Sequence, residues 1–114
     1  MKPYNLDGKR FRSLVNSDNG EVGGETIFVY AQSGDIVTAT YQGGAIEHGQ
    51  LLARVRSDGR LDMRYHHLNR ADEFMLGRCI STPEVLADGR LRFHEEWQWL
   101  SGDKSSGTSV IEEI

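Results

Sequence analysis

Apolar and polar residues alternate along most of this chain with a period of two. In the segment 60–69, Leu61, Met63, Tyr65 and His67 fall on one phase and Arg60, Asp62, Arg64 and His66 on the other. In 90–100, Leu91, Phe93, Glu95, Trp97 and Trp99 share one phase, with Arg90, Arg92, His94, Glu96 and Gln98 opposite. Successive strand side chains point to opposite faces, so this is the pattern of half-buried β-strands. No segment holds a helical period for more than a turn or two. The alternation predicts strands at Gly8–Ser17, Glu25–Gln32, Ile36–Gln42, Ala45–Ser57, Arg60–Asn69, Phe74–Thr82, Arg90–Leu100 and Gly107–Glu113. A short extra strand at Glu84–Ala87 is expected to follow a kink at Pro83.

Turn signals punctuate these strands. Asn19-Gly20, Ser33-Gly34, Asp58-Gly59 and Asp88-Gly89 each sit between alternating runs. Such dipeptides supply the positive backbone angles of tight hairpins, and Asp58-Gly59 reads as a direct join of two strands. Gly43-Gly44 predicts a bulge or tight bend. The longest loop runs from Asn16 to Gly24, and its composition suits a mobile rim. About eight strands paired in order leave two open edges unless they close, and closure removes them. The expected fold is therefore all-β: an up-and-down antiparallel meander closed into a small barrel, with a two-sheet sandwich as the alternative.

Leu61, Met63, Tyr65 and His67 should face inward, as should Phe93, Trp97 and Trp99. The same phase carries Glu95, a carboxylate on a side that ought to be dry. A buried carboxylate is costly unless paired or protonated. Three readings follow. Arg78, which shares a phase with Phe74, Leu76 and Ile80, pairs with it; Glu95 faces a ligand in the barrel mouth; or a bulge turns it out to solvent. The strands at 25–32 and 36–42 are apolar or aromatic on both phases, so their inward face stays open. That two-sidedness fits an outer wall covered by a second subunit, or ordinary scattered surface apolars.

The chain has 114 residues, which suits one domain. Hydrophobic residues make up 38% and charged residues 26%, an ordinary soluble composition. Net charge is -4, from 13 basic and 17 acidic side chains. No positive stripe is built, which argues against a nucleic-acid partner, although Arg10, Arg12, Arg54 and Arg56 could form a local patch. Cys79 is the single cysteine, so no internal disulfide forms and a reduced compartment is the simpler reading. No signal-peptide pattern and no apolar run of membrane-spanning length is present, so a cytoplasmic protein with no membrane partner is expected.

No strong catalytic motif appears. A glycine-rich phosphate loop is missing, and Gly23-Gly24 and Gly43-Gly44 read as turns. The histidines His48, His66, His67 and His94 are not spaced two apart, so no strand presents a ligand pair; neither metal nor cofactor is expected. Cys79 reads as an inert structural thiol. Glu95-Glu96 and Glu112-Glu113 each alternate faces, though strand pairing could bring Glu95 to Glu112. Tyr30, Tyr41, Tyr65, Trp97 and Trp99 read as core or as the lining of a cavity.

Four blocks carry a resemblance: 6–11 (Leu6-Asp7-Gly8-Lys9-Arg10-Phe11), 41–46 (Tyr41-Gln42-Gly43-Gly44-Ala45-Ile46), 58–62 (Asp58-Gly59-Arg60-Leu61-Asp62), and the run from Gly89 to Gly102 with His94-Glu95-Glu96-Trp97-Gln98-Trp99. Together they resemble a family of small bacterial proteins often labelled N-acetylglutamate synthase. None of the blocks is a catalytic signature, so the label supplies no catalytic residue. An acetyltransferase of that type needs an α/β domain with a glycine turn at a helix N-terminus, and this chain shows neither; that activity is not expected. In shape the chain resembles the calycin group of small ligand-binding barrels, which implies a ligand in the lumen.

The first expectation is thus a small-molecule binding barrel lined by Met63, Tyr65, His67, Arg78, Phe93, Glu95, Trp97 and Trp99. The second is an enzyme using Glu95 or His67 as general acid or base. The third is a filled barrel acting as a structural module or homodimer.

Overall fold

The computed structural model describes residues 4–114. Eight strands follow in order: β1 (Arg10–Asn16), β2 (Ile27–Ser33), β3 (Ile36–Gly43), β4 (Ile46–Val55), β5 (Leu61–Asn69), β6 (Phe74–Val85), β7 (Leu91–Trp99) and β8 (Ser106–Glu113). Each pairs antiparallel with its sequence neighbour, and β8 returns to β1 to close the barrel. There is no helix among the described residues. The up-and-down closed meander expected from the alternation is the observed fold.

Two local expectations are corrected. No separate strand forms at 84–87, because β6 runs unbroken through Pro83 to Val85. Its pairing with β5 ends at Leu61↔Ser81, while pairing with β7 continues to Val85↔Leu91. Pro83 therefore sits in an overhang with one free edge, where a missing N–H costs no ladder bond. Nor does Asp58-Gly59 join its strands directly. Arg56 N donates to Arg60 O at 2.8 Å, Gly59 N donates to Arg56 O at 2.9 Å, and Gly59 takes φ 88°. Leu86, Gly89 and Arg90 repeat this geometry, with Gly89 at φ 89°. Both are longer turns closed by a left-handed glycine. At Gly43-Gly44 the expected bend and bulge both occur: the turn is tight, and the β3–β4 register shifts between Tyr41 and Gly43.

Register decides the faces that the sequence left open. Phe28 and Tyr30 of β2 and Val37, Ala39 and Tyr41 of β3 point inward. On β6 the expected phase is reversed. Gly77 lies opposite Tyr65, Cys79 opposite Met63 and Ser81 opposite Leu61, and directly opposite residues share a face. Gly77, Cys79 and Ser81 are therefore internal, while Phe74, Leu76 and Arg78 lie outside.

The two ends differ. At the lower end, where the 56–60 and 86–90 turns lie, the segment 4–9 folds across the opening. Leu6 is fully buried there. Its N–H donates to Gln32 Oε1 at 2.8 Å, and the Tyr4 hydroxyl donates to Gly59 O at 2.8 Å. Beneath this plug Phe11 and Phe93 meet with ring centroids 5.5 Å apart, and Tyr4 packs edge-on to Phe93 at 5.8 Å. The upper end carries the long β1–β2 loop.

Candidate functional site

Three aromatic residues shape the upper lumen, and each lies over a glycine of the next strand. Tyr41 pairs with Gly49, Tyr65 with Gly77 and Trp97 with Gly107. A Cβ at any of these glycines would collide with the ring above it. The absent side chains let the rings lie flat against the wall, a device that rescues glycine inside a sheet. Trp97 and Trp99 then meet at 5.5 Å, and Tyr65 meets Trp99 at 5.9 Å. Between these rings, Phe28, Leu51, Met63 and Cys79 there remains a cavity of about 50 Å³. That is room for a few waters or a small chemical group, not for a drug-sized molecule.

Glu95 faces this cavity from the middle of β7. Its flanking partners across the sheet are Ser81 and Ser109. The Ser81 hydroxyl donates to Oε2 at 2.8 Å and the Ser109 hydroxyl to Oε1 at 3.0 Å. The carboxylate borders the cavity, and Glu95 is partly buried. Burial pushes its pKa above the ordinary carboxyl range, and hydrogen bonds from Ser81, Ser109 and Cys79 partly offset that. Nearby, burial also pushes up the Cys79 thiol and the hydroxyls of Tyr41 and Tyr65, leaving none of them activated as a nucleophile.

A raised carboxyl pKa gives a definite pH signature. The neutral acid is favoured in the fold, so this contribution is fully present below the ordinary value near 4.5. It is lost as pH rises through the folded-state pKa. Glu95→Gln keeps the shape and removes the ionisation. The variant is expected to melt above the wild type at pH 7 and to converge with it by about pH 4. Calorimetry across that range checks this; a variant less stable at pH 7 would contradict it.

His67 is 1% exposed and both ring nitrogens are engaged. Nε2 lies 2.7 Å from Glu21 Oε1, and Nδ1 lies 3.0 Å from the Tyr41 hydroxyl. Burial lowers its pKa, and the neighbouring Glu21 opposes that. In the neutral ring Nε2–H donates to Glu21 while Nδ1 accepts from Tyr41. Asn69 Nδ2 adds a second donor to Glu21, at 3.1 Å from Oε2. Glu21 belongs to the β1–β2 loop, so these bonds strap that loop across the mouth. The Trp97 indole donates to Asn16 Oδ1 at 3.1 Å, and the Trp99 indole donates to Asn19 O at 3.0 Å, pinning the same segment. Val22 packs against the core. The loop read as a mobile rim is a fastened cover.

Six of the expected lining residues meet here: Met63, Tyr65, His67, Glu95, Trp97 and Trp99. Two do not. Phe93 lies a layer below, fully buried in the lower core. Arg78 is exposed on the outer wall, where Nη2 donates to Gln98 Oε1 at 2.9 Å. It cannot partner Glu95 because β6 presents the opposite phase inward. The serines that do so carry no hydrophobic signal. Asn16, Glu21, Val22, Phe28, Tyr41, Leu51, Cys79 and Ser109 also line the cavity. Only Tyr41 and Phe28 had a detectable signal, as aromatics on an undecided face. Glu112 stays outside with Arg92, 2.6 Å away, and never meets Glu95. Among the described residues no three His, Cys, Asp or Glu side chains gather to hold a metal ion.

A family model described as Avidin-like protein matches residues 4–114. No curated protein and no solved structure matches the chain.

Proposed function

This chain belongs to the avidin-like family, and from that premise we propose that it binds a small molecule in its upper lumen. The cavity carries this reading: an aromatic-walled space with a hydrogen-bonded carboxylate at its side, in a barrel closed at the far end. Eight strands leave an interior that holds side chains or one small ligand. Here glycines 49, 77 and 107 draw the large rings toward the wall and leave space between them. Acid–base catalysis is less well supported, because both nitrogens of His67 are engaged and the titratable neighbour of Glu95, the Cys79 thiol, is itself pushed up by burial and not activated.

The indole N–H resonances of Trp97 and Trp99 report on both cavity and loop. Screening a fragment library by NMR is expected to give shifts at these two resonances with at least one chemical class. Shifts confined to the outer wall, with none at either indole, would end this reading.

A second reading concerns the outer wall. Val29, Leu52, Leu76 and Leu100, 46–57% exposed, border one groove across β2–β6 with a volume of about 840 Å³. We infer that this wall pairs two copies in an isologous dimer. Leu52→Arg is expected to weaken self-association at least tenfold in analytical ultracentrifugation. A wild type that sediments as a monomer at 100 μM concentration would dismiss the dimer.

A further inference from the structure

Resting on the lumen as a binding site, we propose that its ligand is a small organic cation whose charged head presents N–H donors, such as an amidinium, to Glu95. Charge is the first argument. Two carboxylates line the cavity, Glu95 within and Glu21 at the mouth, and no lysine or arginine does. An anionic head would meet Glu95 at close range in a low-dielectric interior, where repulsion is strong.

Hydrogen-bond capacity is the second argument. Each carboxylate oxygen of Glu95 receives one serine proton, at 2.8 and 3.0 Å, and the Cys79 thiol is a third, weak donor to the same carboxylate. An ionised carboxylate has about four lone-pair positions, so one stays open beside these three donors and a second opens where a ligand displaces the weak thiol donor. A planar donor pair fits two carboxylate oxygens at once.

The walls supply the third argument. Trp97, Trp99 and Tyr65 border the same space. Their ring faces carry negative potential and attract a cation within about 6 Å. A neutral ligand would gain the apolar contact but leave Glu95 either protonated or charged without a counter-ion, and a buried unpaired charge is costly. A cation removes that cost by pairing with the carboxylate. Binding to the neutral acid then displaces its proton to solvent.

Three isosteres test the proposal: acetamidinium, acetamide and acetate. They match in shape and in heavy-atom number, and differ only in charge and donor pattern. Titrations followed at the Trp97 and Trp99 indole N–H signals are expected to show acetamidinium binding at least fivefold tighter than acetamide, with acetate not binding. Its affinity is expected to fall as pH is lowered and Glu95 is protonated. Glu95→Gln is expected to bring acetamidinium within about twofold of acetamide, and Glu21→Gln, at the mouth, to reduce the preference less. If Glu95→Gln does not fold, the wild-type series decides alone. Acetamide or acetate binding as tightly as acetamidinium would overturn the cation assignment and leave the lumen site standing. A folded Glu95→Gln that keeps the preference would do the same. No response to any of the three at 50 mM concentration would overturn the cation assignment, and a fragment screen silent at both indoles would overturn the lumen site as well.

Discussion

Replacing Phe93 with alanine is expected to lower stability by about 3–5 kcal/mol, the range for a fully buried phenylalanine. At roughly 4 °C per kcal/mol for a domain near this size, the melting temperature falls by roughly 12–20 °C. The size of the effect follows from where the ring sits. Phe93 is 0% exposed, meets Phe11 at 5.5 Å, and supports the edge of Tyr4 at 5.8 Å. Removing it takes away the transfer energy of the ring and the seat of the lower plug. The wall around it is a continuous hydrogen-bonded sheet that cannot collapse inward to fill the hole. The upper cavity is a layer away, so indole shifts of Trp97 and Trp99 should change little in the folded fraction. A loss under about 1 kcal/mol in urea denaturation would mean that the plug does not depend on this ring.

Gly77→Ala tests the construction of the upper lumen. The new methyl group meets the Tyr65 ring, whose far side packs edge-on to Trp99 at 5.9 Å. The ring cannot retreat without moving its neighbours, and overpacking of this kind costs about 1–3 kcal/mol. Gly49→Ala should behave alike through Tyr41. Gly23→Ala is the control, since its methyl group meets open space and its change should stay within about 0.5 kcal/mol. The sharper measurement is a double-mutant cycle with Tyr65→Ala. Once the ring is gone, the added methyl no longer clashes, so the two changes should be non-additive by about 0.5–3 kcal/mol. Additive behaviour would show that Gly77 is there for another reason.

These two sites show how unevenly the sequence speaks. Phe93 was legible as an inward residue from alternation alone, yet its height in the barrel was not. Height depends on how strands stagger, and Phe93 falls opposite Pro83 and Ile111 near the lower end. Gly77 gave the opposite difficulty. On β6 the internal positions are Gly77, Cys79 and Ser81, while Phe74 and Leu76 face out. Hydrophobic periodicity therefore points to the wrong phase, since the small internal residues make room for large rings on β5 and β7. Arg78 was assigned to the lumen by that same inversion.

The electrostatics divide in the same way. Alternation placed Glu95 inside, and it is inside. Its partners were not legible, because Ser81 and Ser109 reach it only through the registers Ser81↔Glu95 and Glu95↔Ser109. The strap from Glu21 to His67 joins a loop to a strand 46 positions away, and loops carry no period to read. Its pH behaviour is opposite to that of Glu95. His67 is held neutral by burial, so its contribution is present above the ordinary value near 6.5 and lost as pH falls through its lowered pKa.

The order of residues alone determined the eight main strands, the up-and-down closure, and the inward faces of β5 and β7, while the extra strand it offered at 84–87 proved to be the end of β6. Alternation and turn residues are local properties of a chain, and they need no knowledge of what lies beside it. The phase of β6, the serines at Glu95, the rings resting on glycines and the fastened loop came only from the assembled barrel. Each of these depends on which residue of a neighbouring strand or loop stands opposite, and a one-residue slip in register would send every side chain of a strand to the other face.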